Sequence, residues 1–293
     1  MNIKSCTSVI ILLFMSSNIF GMSVGIPISD FIGSELRKNY LEGFWYTGKL
    51  FDEKPLCAGK FQLFTVKQLK EKIEREKPKK HEGPASFSLV IKKINGSYYS
   101  LVNMVMMQED PANADAVFQL ASRPGGVETD NFDNRMPPTD SSWVKTQGPL
   151  MTASAAPGGL LRTIKSGELA CFKYVSPESI DKIRDNMTVC WHENIDVIQY
   201  KSGWKPCGHR VNQVLALAKQ MPDRKYSKED AGKIVRAYLK VAYEGTLLAA
   251  SAHGKRRVFL TAVGGGIYNN KLDDIAWAIE QCKGIIKDGS CPE

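Results

Sequence analysis

The chain has 293 residues, enough for one large domain or two modest ones, and its 43% hydrophobic and 24% charged composition excludes wholesale disorder. The formal net charge of +8 would suit an anionic ligand or nucleic acid. Its main local source is residues 67–80, where lysines mix with glutamates as on a solvated helix face. No basic stripe is interleaved with aromatic residues, so we expect no nucleic-acid partner.

The first 21 residues have the order of a secretory signal peptide. Lys4 is the only charged residue before Asp30. The apolar run 9–15 is too short to span a bilayer comfortably, and small residues follow it at Ser16 and Gly21. A buried first helix is the alternative interpretation. We expect cleavage near Gly21 and a secreted or periplasmic mature protein without a further membrane segment.

The cysteines are expected to form disulfides. Cleavage near Gly21 would remove Cys6 from the seven cysteines and leave an even number, which in an exported chain favours disulfides of unknown pairing. The chain also contains two Cys-x-His sequences, which together could supply the two cysteines and two histidines of a zinc site. Zinc ligands usually follow tighter spacings such as Cys-x2-Cys, so we expect no metal. The remaining cysteines are Cys57, Cys171, Cys190, Cys207, Cys282 and Cys291, of which Cys190 precedes His192 and Cys207 precedes His209.

Residues 22–85 predict an N-terminal α+β extension. Apolar and aromatic runs at 44–47 and 61–66 are typical of strands. The charged helix that begins near Lys67 follows them, and Pro78 ends it. The extension and the remainder of the chain could also be one domain.

Residues 86–293 predict an α/β domain. Asn95-Gly96 is a strong turn signal and indicates a hairpin. The other elements follow from short unalternating apolar runs, typical of buried strands, and from amphipathic runs, typical of helices. Strands are expected at 86–94, 98–107, 116–121, 195–200 and 258–263, and helices at 148–164, 210–220, 227–252 and from Leu272 onward. Their alternation predicts a three-layer α/β/α sandwich with a mixed sheet.

A glycine turn, Gly264-Gly265-Gly266, links the predicted strand 258–263 to the helix that begins near Leu272. Such a junction points backbone N–H groups and the positive end of a helix at one place, which favours phosphate binding. Asp273 and Asp274 are typical of the first turn of a helix, because negative side chains are stabilising at its positive end. A dinucleotide-binding fingerprint fails because its third glycine is missing. A tight turn without a ligand is the alternative interpretation.

Four segments of the chain carry a family resemblance: 117–128, 146–149, 242–250 and 258–270. In this order they resemble macrodomains, most closely a divergent macrodomain-like group that includes the Legionella effector MavL. The run Gly266-Ile267-Tyr268-Asn269 is similar to the macrodomain loop that holds a diphosphate, with Asn269 in place of a glycine. Asparagine is the non-glycine residue best able to adopt positive φ, so we expect the loop geometry to survive.

The resemblance implies an ADP-ribose pocket in a macrodomain-like fold and, in enzymatic members, removal of ADP-ribose from a modified protein without a cofactor. The turn would wrap the diphosphate through its backbone N–H groups, and residues 122–126 would form the facing wall, where glycines allow close approach. Tyr268 could stack on a ribose or adenine ring, or fill the core. The expected ligand-binding residues are Ser122, Gly125, Gly126, Gly264, Gly265, Gly266, Ile267, Tyr268 and Asn269.

Hydrolysis of a ribosyl linkage needs a carboxylate to activate water or to stabilise the developing cation. The resemblance makes Glu128 the first candidate, and proximity makes Asp140 the second; both could also be solvated loop acids. The group has an asparagine where this chain has Gly125, and acidic residues where it has Trp143-Val144-Lys145. A non-catalytic ADP-ribose-binding module and a secreted interaction protein with a degenerate pocket are therefore the alternative functions.

Overall fold

The computed structural model describes residues 10–12, 45–46, 57–78, 92–94, 97–99, 104–122, 184–199, 205–218, 227–265 and 268–287. The strands are β1 (Ile10–Leu12), β2 (Trp45–Tyr46), β3 (Cys57–Thr65), β4 (Lys92–Ile94), β5 (Ser97–Tyr99), β6 (Val117–Ser122), β7 (Thr188–Gln199), β8 (Lys205–Leu217) and β9 (Val258–Thr261). The helices are α1 (Val66–Glu76), α2 (Met104–Glu109), α3 (Lys228–Ala252), α4 (Leu272–Glu280) and α5 (Lys283–Lys287). Short 3-10 turns lie at Pro111–Asn113 and Arg184–Asn186.

Seven strands form one mixed sheet in the order β1-β9-β6-β8-β7-β3-β2. The first four of that order run parallel, and the last three continue it antiparallel. Helices α1, α3 and α4 share one apolar core with the sheet. Helix α2 meets the other face, where Gln213 Nε2 of β8 donates to Gln108 Oε1 at 2.8 Å. The predicted α/β sandwich with a mixed sheet is confirmed.

Strand β8 is the largest departure from the sequence prediction, which places a helix over 210–220. The helix prediction is wrong because β8 lies inside the sheet and pairs with β6 on one side and β7 on the other. Such a strand is buried on both faces and shows no alternation of apolar and polar residues. Its polar residues are bonded internally: Asn212 Nδ2, for example, donates to Asp115 O at 2.9 Å.

Other element boundaries also differ from prediction. Strand β3 begins at Cys57 and β7 at Thr188, both earlier than predicted. The predicted strand 98–107 ends at Tyr99 and gives way to helix α2, while β4 and β5 still pair as the predicted hairpin. The predicted helix 148–164 lies outside the described residues.

The starts of α1 and α3 follow from local sequence. Ser227 Oγ accepts from Asp230 N–H at 3.1 Å, so the predicted start of α3 is confirmed. At α1, Thr65 Oγ1 accepts from Gln68 N–H at 3.0 Å, and Gln68 Oε1 accepts from Thr65 N–H at 2.8 Å. This reciprocal capping box satisfies two backbone donors and ends β3 as the helix begins.

Elements from the predicted extension belong to the central sheet. β2 and β3 lie at its antiparallel end, and α1 packs on α3. Lys70 Nζ of α1 lies 3.0 Å from Glu244 Oε1 of α3 and 3.0 Å from Asp185 Oδ1, which joins three segments distant in sequence.

The apolar run of the predicted signal peptide contributes β1, which pairs in parallel with Phe259–Thr261 of β9. Cleavage near Gly21 stays a prediction. Across the described ranges, no helix combines the length and apolar character needed to cross a membrane.

The core lies between the sheet and the long helix α3, whose side chains are buried from Val241 to Ala252. Gly245 permits this close approach. A Cβ at Gly245 would lie only 2.6 Å from Val189 Cγ1 of β7, so a side chain there would push the helix off the sheet. On the opposite face, Phe118 stacks on Phe259 with ring centroids 4.7 Å apart.

The substitution Gly245→Ala is expected to lower the free energy of unfolding by about 1–3 kcal/mol, because the added methyl overpacks against Val189. Gly232→Ala on the same helix is the control, since a Cβ there would meet nothing within 4 Å. It should raise the free energy of unfolding by about 0.5–1 kcal/mol. Urea denaturation followed by circular dichroism measures both. Equal effects at the two positions would contradict the close packing of α3.

Candidate ligand site at the carboxyl ends of the parallel strands

The candidate site lies beyond the carboxyl ends of β6, β8 and β9. In open α/β sheets, ligands bind at this edge, where neighbouring loops diverge. Ser122, the last residue of β6, pairs with Leu217 at the end of β8. The next residue, Ala218, packs against Gly264, where an added Cβ would lie 2.7 Å from Ala218 Cβ. The structure thus brings the end of β6 and the glycine turn to one edge of the sheet.

Strands β6 and β9 stop pairing before this edge. Their register ends at Phe118 and Phe259. Beyond that pair, side chains replace the backbone ladder: Thr261 N–H donates to Gln119 Oε1 at 3.1 Å, and Thr261 Oγ1 donates to Gln119 O at 3.3 Å. The end of β9 is therefore held by contacts with Gln119, which lies within β6, three residues before that strand ends.

The glycine turn is closed by its own backbone hydrogen bonds. Gly265 N–H donates to Ala262 O at 2.9 Å, and Asn270 N–H donates to Gly264 O at 3.0 Å. Gly264 has a φ of 81°, and a Cβ there would lie 2.4 Å from Asn270 Nδ2, so the position requires glycine. Because Gly265 N–H is already bonded, a diphosphate could use that group only by displacing Ala262 O.

Asn269 has a φ of 49°, in the left-handed region. The expected positive φ of this asparagine is therefore confirmed, whereas the geometry of the whole loop stays a prediction, because residues 266 and 267 lie outside the described part. Its side chain is exposed, whereas Tyr268 beside it is half-buried and packs against the core. Stacking of Tyr268 on a ligand ring stays a prediction.

The first turn of α4 carries its own negative charges. Asp273 and Asp274 both lie there, as the sequence indicates, and Lys271 provides no side-chain cap. Asp274 Oδ1 accepts from Arg236 Nε of α3 at 2.7 Å, and the Arg236 guanidinium lies 5.3 Å from the ring centre of Trp277. With two carboxylates at the positive end of α4, the glycine turn is better suited than the helix dipole to hold an anion.

The predicted site is described only in part. Ser122, Gly264, Gly265, Tyr268 and Asn269 are placed at or beside the carboxyl edge. The residues that lie outside the described part are Gly125, Gly126, Glu128, Asp140, Gly266 and Ile267. Their proposed roles in binding and catalysis stay predictions.

Sequence reasoning missed the buried polar residues that support the turn. Gln119 is fully buried in β6, and Thr246 is fully buried in α3. Tyr243, one turn before Thr246 on the same helix, is also fully buried. A glutamine inside an otherwise apolar strand was a signal that could have identified the first of them, because buried polar groups need hydrogen-bonding partners.

The predicted disulfides are not supported at Cys190, Cys207 and Cys282, which are free thiols. Cys190 lies opposite Leu215, eight residues along β8 from Cys207, which corresponds to about 26 Å of extended chain. A bond between these two is therefore ruled out by distance. Cys282 follows α4, where its Sγ donates to Ala278 O at 3.4 Å.

The same separation keeps the two Cys-x-His pairs apart. His209 Nε2 lies 2.8 Å from Gln108 O, so this ring is held by helix α2. In the parts of the chain that the structure covers, no group of three His, Cys, Asp or Glu side chains could hold a metal ion.

Solved structures resemble this fold, whereas no protein-family model and no curated protein sequence matches the chain. Two crystal structures of poly(ADP-ribose) glycohydrolase from Deinococcus radiodurans in complex with ADP-ribose align with a TM-score of 0.50 and 13% identity. The alignment covers 79% of this chain and 84% of theirs. The glycohydrolase from Thermomonospora curvata aligns with a TM-score of 0.47 and 13% identity, over 85% of this chain and 84% of that one. At this identity the likeness to the first two establishes a macrodomain-like fold.

Gly264→Ala is expected to cost about 1–3 kcal/mol more in unfolding free energy than Gly254→Ala, because only the first adds a steric clash. Gly254 is the matched control, since its φ is 63° and a Cβ there would meet nothing within 4 Å. Left-handed backbone strain alone should cost the control about 1–2 kcal/mol. Chemical denaturation measures both values. A Gly264→Ala variant no less stable than the control would refute the packing of the turn against Ala218 and Asn270.

Thiol labelling tests the free cysteines. Burial raises the pKa of the Cys190 thiol and raises the pKa of Cys282 to about 12. Burial and the Glu109 carboxylate together raise the pKa of Cys207 to about 11. Since the thiolate is the reactive form, all three should alkylate slowly in the native protein near neutral pH, and quickly in urea without reductant. Peptide mass spectrometry measures the extent of alkylation at each cysteine. A cysteine that resists labelling in unreduced urea, yet reacts after reduction, would indicate a disulfide there.

Proposed function

We propose that the chain binds ADP-ribose at the carboxyl edge of its sheet and removes ADP-ribose from a modified protein. The observation that carries this proposal is the meeting of Ser122 and the glycine turn at one edge of a macrodomain-like fold. The Deinococcus radiodurans glycohydrolase, which shares the fold, was solved with ADP-ribose bound. The ordered resemblance to the divergent macrodomain group that includes MavL supports the same ligand.

In this proposal the backbone of residues 264–269 holds the diphosphate. Gly264 and Asn269 both adopt positive φ, a conformation that also occurs in backbone turns whose N–H groups bind anions. Gly125 and Gly126 would form the facing wall and allow the ligand to approach the backbone closely. The net charge of +8 favours an anionic ligand over the whole surface.

Cleavage of the ribosyl linkage would use the carboxylate of Glu128, with Asp140 as the second candidate and no cofactor. The carboxylate takes a proton from water as the water oxygen bonds to the anomeric carbon. The glycosidic bond breaks at the same centre, its electron pair leaves with the target side chain, and that side chain takes the proton from the carboxylic acid, which restores the carboxylate. We further propose that the protein is exported, on the basis of its first 21 residues.

A non-catalytic ADP-ribose-binding module is the second candidate. It is favoured by Gly125, which stands where the related group has an asparagine, and by Trp143-Val144-Lys145, which stand where that group has acidic residues. A protein that binds but does not cleave would keep the backbone turn and lack only the reacting acids.

Calorimetric titration with ADP-ribose tests binding, and incubation with ADP-ribosylated protein separates the two candidates. Release of free ADP-ribose that is lost in the Glu128→Gln variant supports the hydrolase, whereas binding without release supports the module. No heat with millimolar ADP-ribose, from protein whose circular dichroism shows an intact fold, would reject the proposed function.

Asn269 offers a matched pair of variants at an exposed position. Asn269→Gly should bind ADP-ribose at least as tightly as the wild type, because glycine adopts the same positive φ without strain. Asn269→Val should weaken binding by about tenfold or more, because a β-branched residue resists that conformation. Both affinities come from the same titration. Equal affinity in the two variants would mean that the conformation at this residue does not determine binding.

A further inference from the structure

Tyr243 directs its hydroxyl from the middle of α3 to the end of β9. The oxygen donates to Thr261 O at 2.7 Å and accepts from Val263 N–H at 3.2 Å. The phenol is fully buried, and this burial raises the pKa of Tyr243. The hydroxyl therefore stays protonated and keeps both its donor and its acceptor role at neutral pH.

The two groups that the hydroxyl contacts are also bonded to each other. Val263 N–H donates to Thr261 O at 2.8 Å, which closes a three-residue γ-turn directly before Gly264. Tyr243 thus bridges both ends of the tight turn that takes the chain out of β9. A phenylalanine could fill the same volume, so the hydroxyl is the part of the residue that acts on the turn.

Gln119 of β6 also holds this strand end. Its Oε1 accepts from Thr261 N–H, and its Nε2 donates to Ala242 O and Thr246 Oγ1 of α3, each at 3.0 Å. The N–H and C=O of Thr261 are therefore both bonded to side chains that α3 either carries or orients. Because a 25-residue helix buried along the sheet is stiff, these contacts give the strand end a fixed position.

We propose that Tyr243 is a positioning residue for the ligand site: its hydroxyl sets the direction in which the chain leaves β9 and enters the diphosphate-binding turn. This inference rests on the proposed function in taking the ligand to be ADP-ribose. Tyr243 does not touch the ligand. It acts through Thr261 and Val263, so its loss changes the geometry of residues 264–269 without removing any group that contacts the diphosphate.

Tyr243→Phe tests the proposal because it removes one oxygen and keeps the ring. Its affinity for ADP-ribose should fall by about tenfold, since the γ-turn loses the hydroxyl that bridges its two ends and is then held only by its own hydrogen bond from Val263 N–H to Thr261 O. Amide hydrogen exchange should quicken within residues 262–270 and remain unchanged in β6 and β8. Both are measured at a temperature where every variant is folded.

Val197→Ala is the control. Val197 is fully buried in β7, beside Asp196, which pairs with Arg210 near the amino edge, opposite the glycine turn. The resulting cavity destabilises the fold, but affinity should stay within about twofold of the wild type, because the cavity is remote from the turn. Loss of affinity in both variants in proportion to lost stability would overturn the proposal.

Unchanged affinity and exchange in Tyr243→Phe would also overturn it. If the wild type itself fails to bind ADP-ribose, the proposed function falls, and hydrogen exchange still decides the positioning role: faster exchange confined to residues 262–270 supports it, and unchanged exchange refutes it. If the variant does not fold, the wild-type Val263 amide decides, because exchange as fast as that of an exposed loop amide is incompatible with the bond to Tyr243.

Discussion

The close approach of α3 to the sheet is the constraint on which the candidate site depends. Gly245 places the helix backbone against Val189, where any side chain would clash. At that separation Ala242 O and Thr246 Oγ1 come within reach of Gln119, and the Tyr243 hydroxyl comes within reach of Thr261. Buried networks of this kind stabilise one arrangement only when every member finds its partner. The position of the β9 end therefore depends on the close packing of α3 against the sheet.

The backbone that follows this strand end determines the geometry of the candidate site. The sheet stops pairing between β6 and β9, a γ-turn redirects the chain, and Gly264 and Asn269 then supply two positive φ angles. The acids in the first turn of α4 leave the backbone of the turn as the better anion-binding element. The residues proposed for binding and for catalysis therefore belong to different segments, since Glu128 and Asp140 lie far in sequence from the glycine turn.

Features with local causes could be predicted from sequence. The extent of α3 follows from Ser227 and a long apolar periodicity, and the positive φ of Asn269 follows from the conformational preference of asparagine. β8 could not be predicted, because its strand conformation depends on β6 and β7, which are distant in sequence. The disulfide prediction followed export and an even cysteine count, whereas pairing depends on which cysteines the fold brings together, and Cys190 and Cys282 are buried as free thiols. Nothing in the local sequence distinguishes Tyr243 from an ordinary core residue, because its hydrogen bond is to Thr261, which lies 18 residues later in the chain.

A crystal structure of the protein with ADP-ribose at saturating concentration tests the central claim most directly. We predict the diphosphate within hydrogen-bonding distance of the backbone of residues 264–269, at the carboxyl edge of β6 and β9, with the Tyr243 hydroxyl still bridging Thr261 and Val263. ADP-ribose bound elsewhere on the molecule, or an empty carboxyl edge under those conditions, would contradict the account.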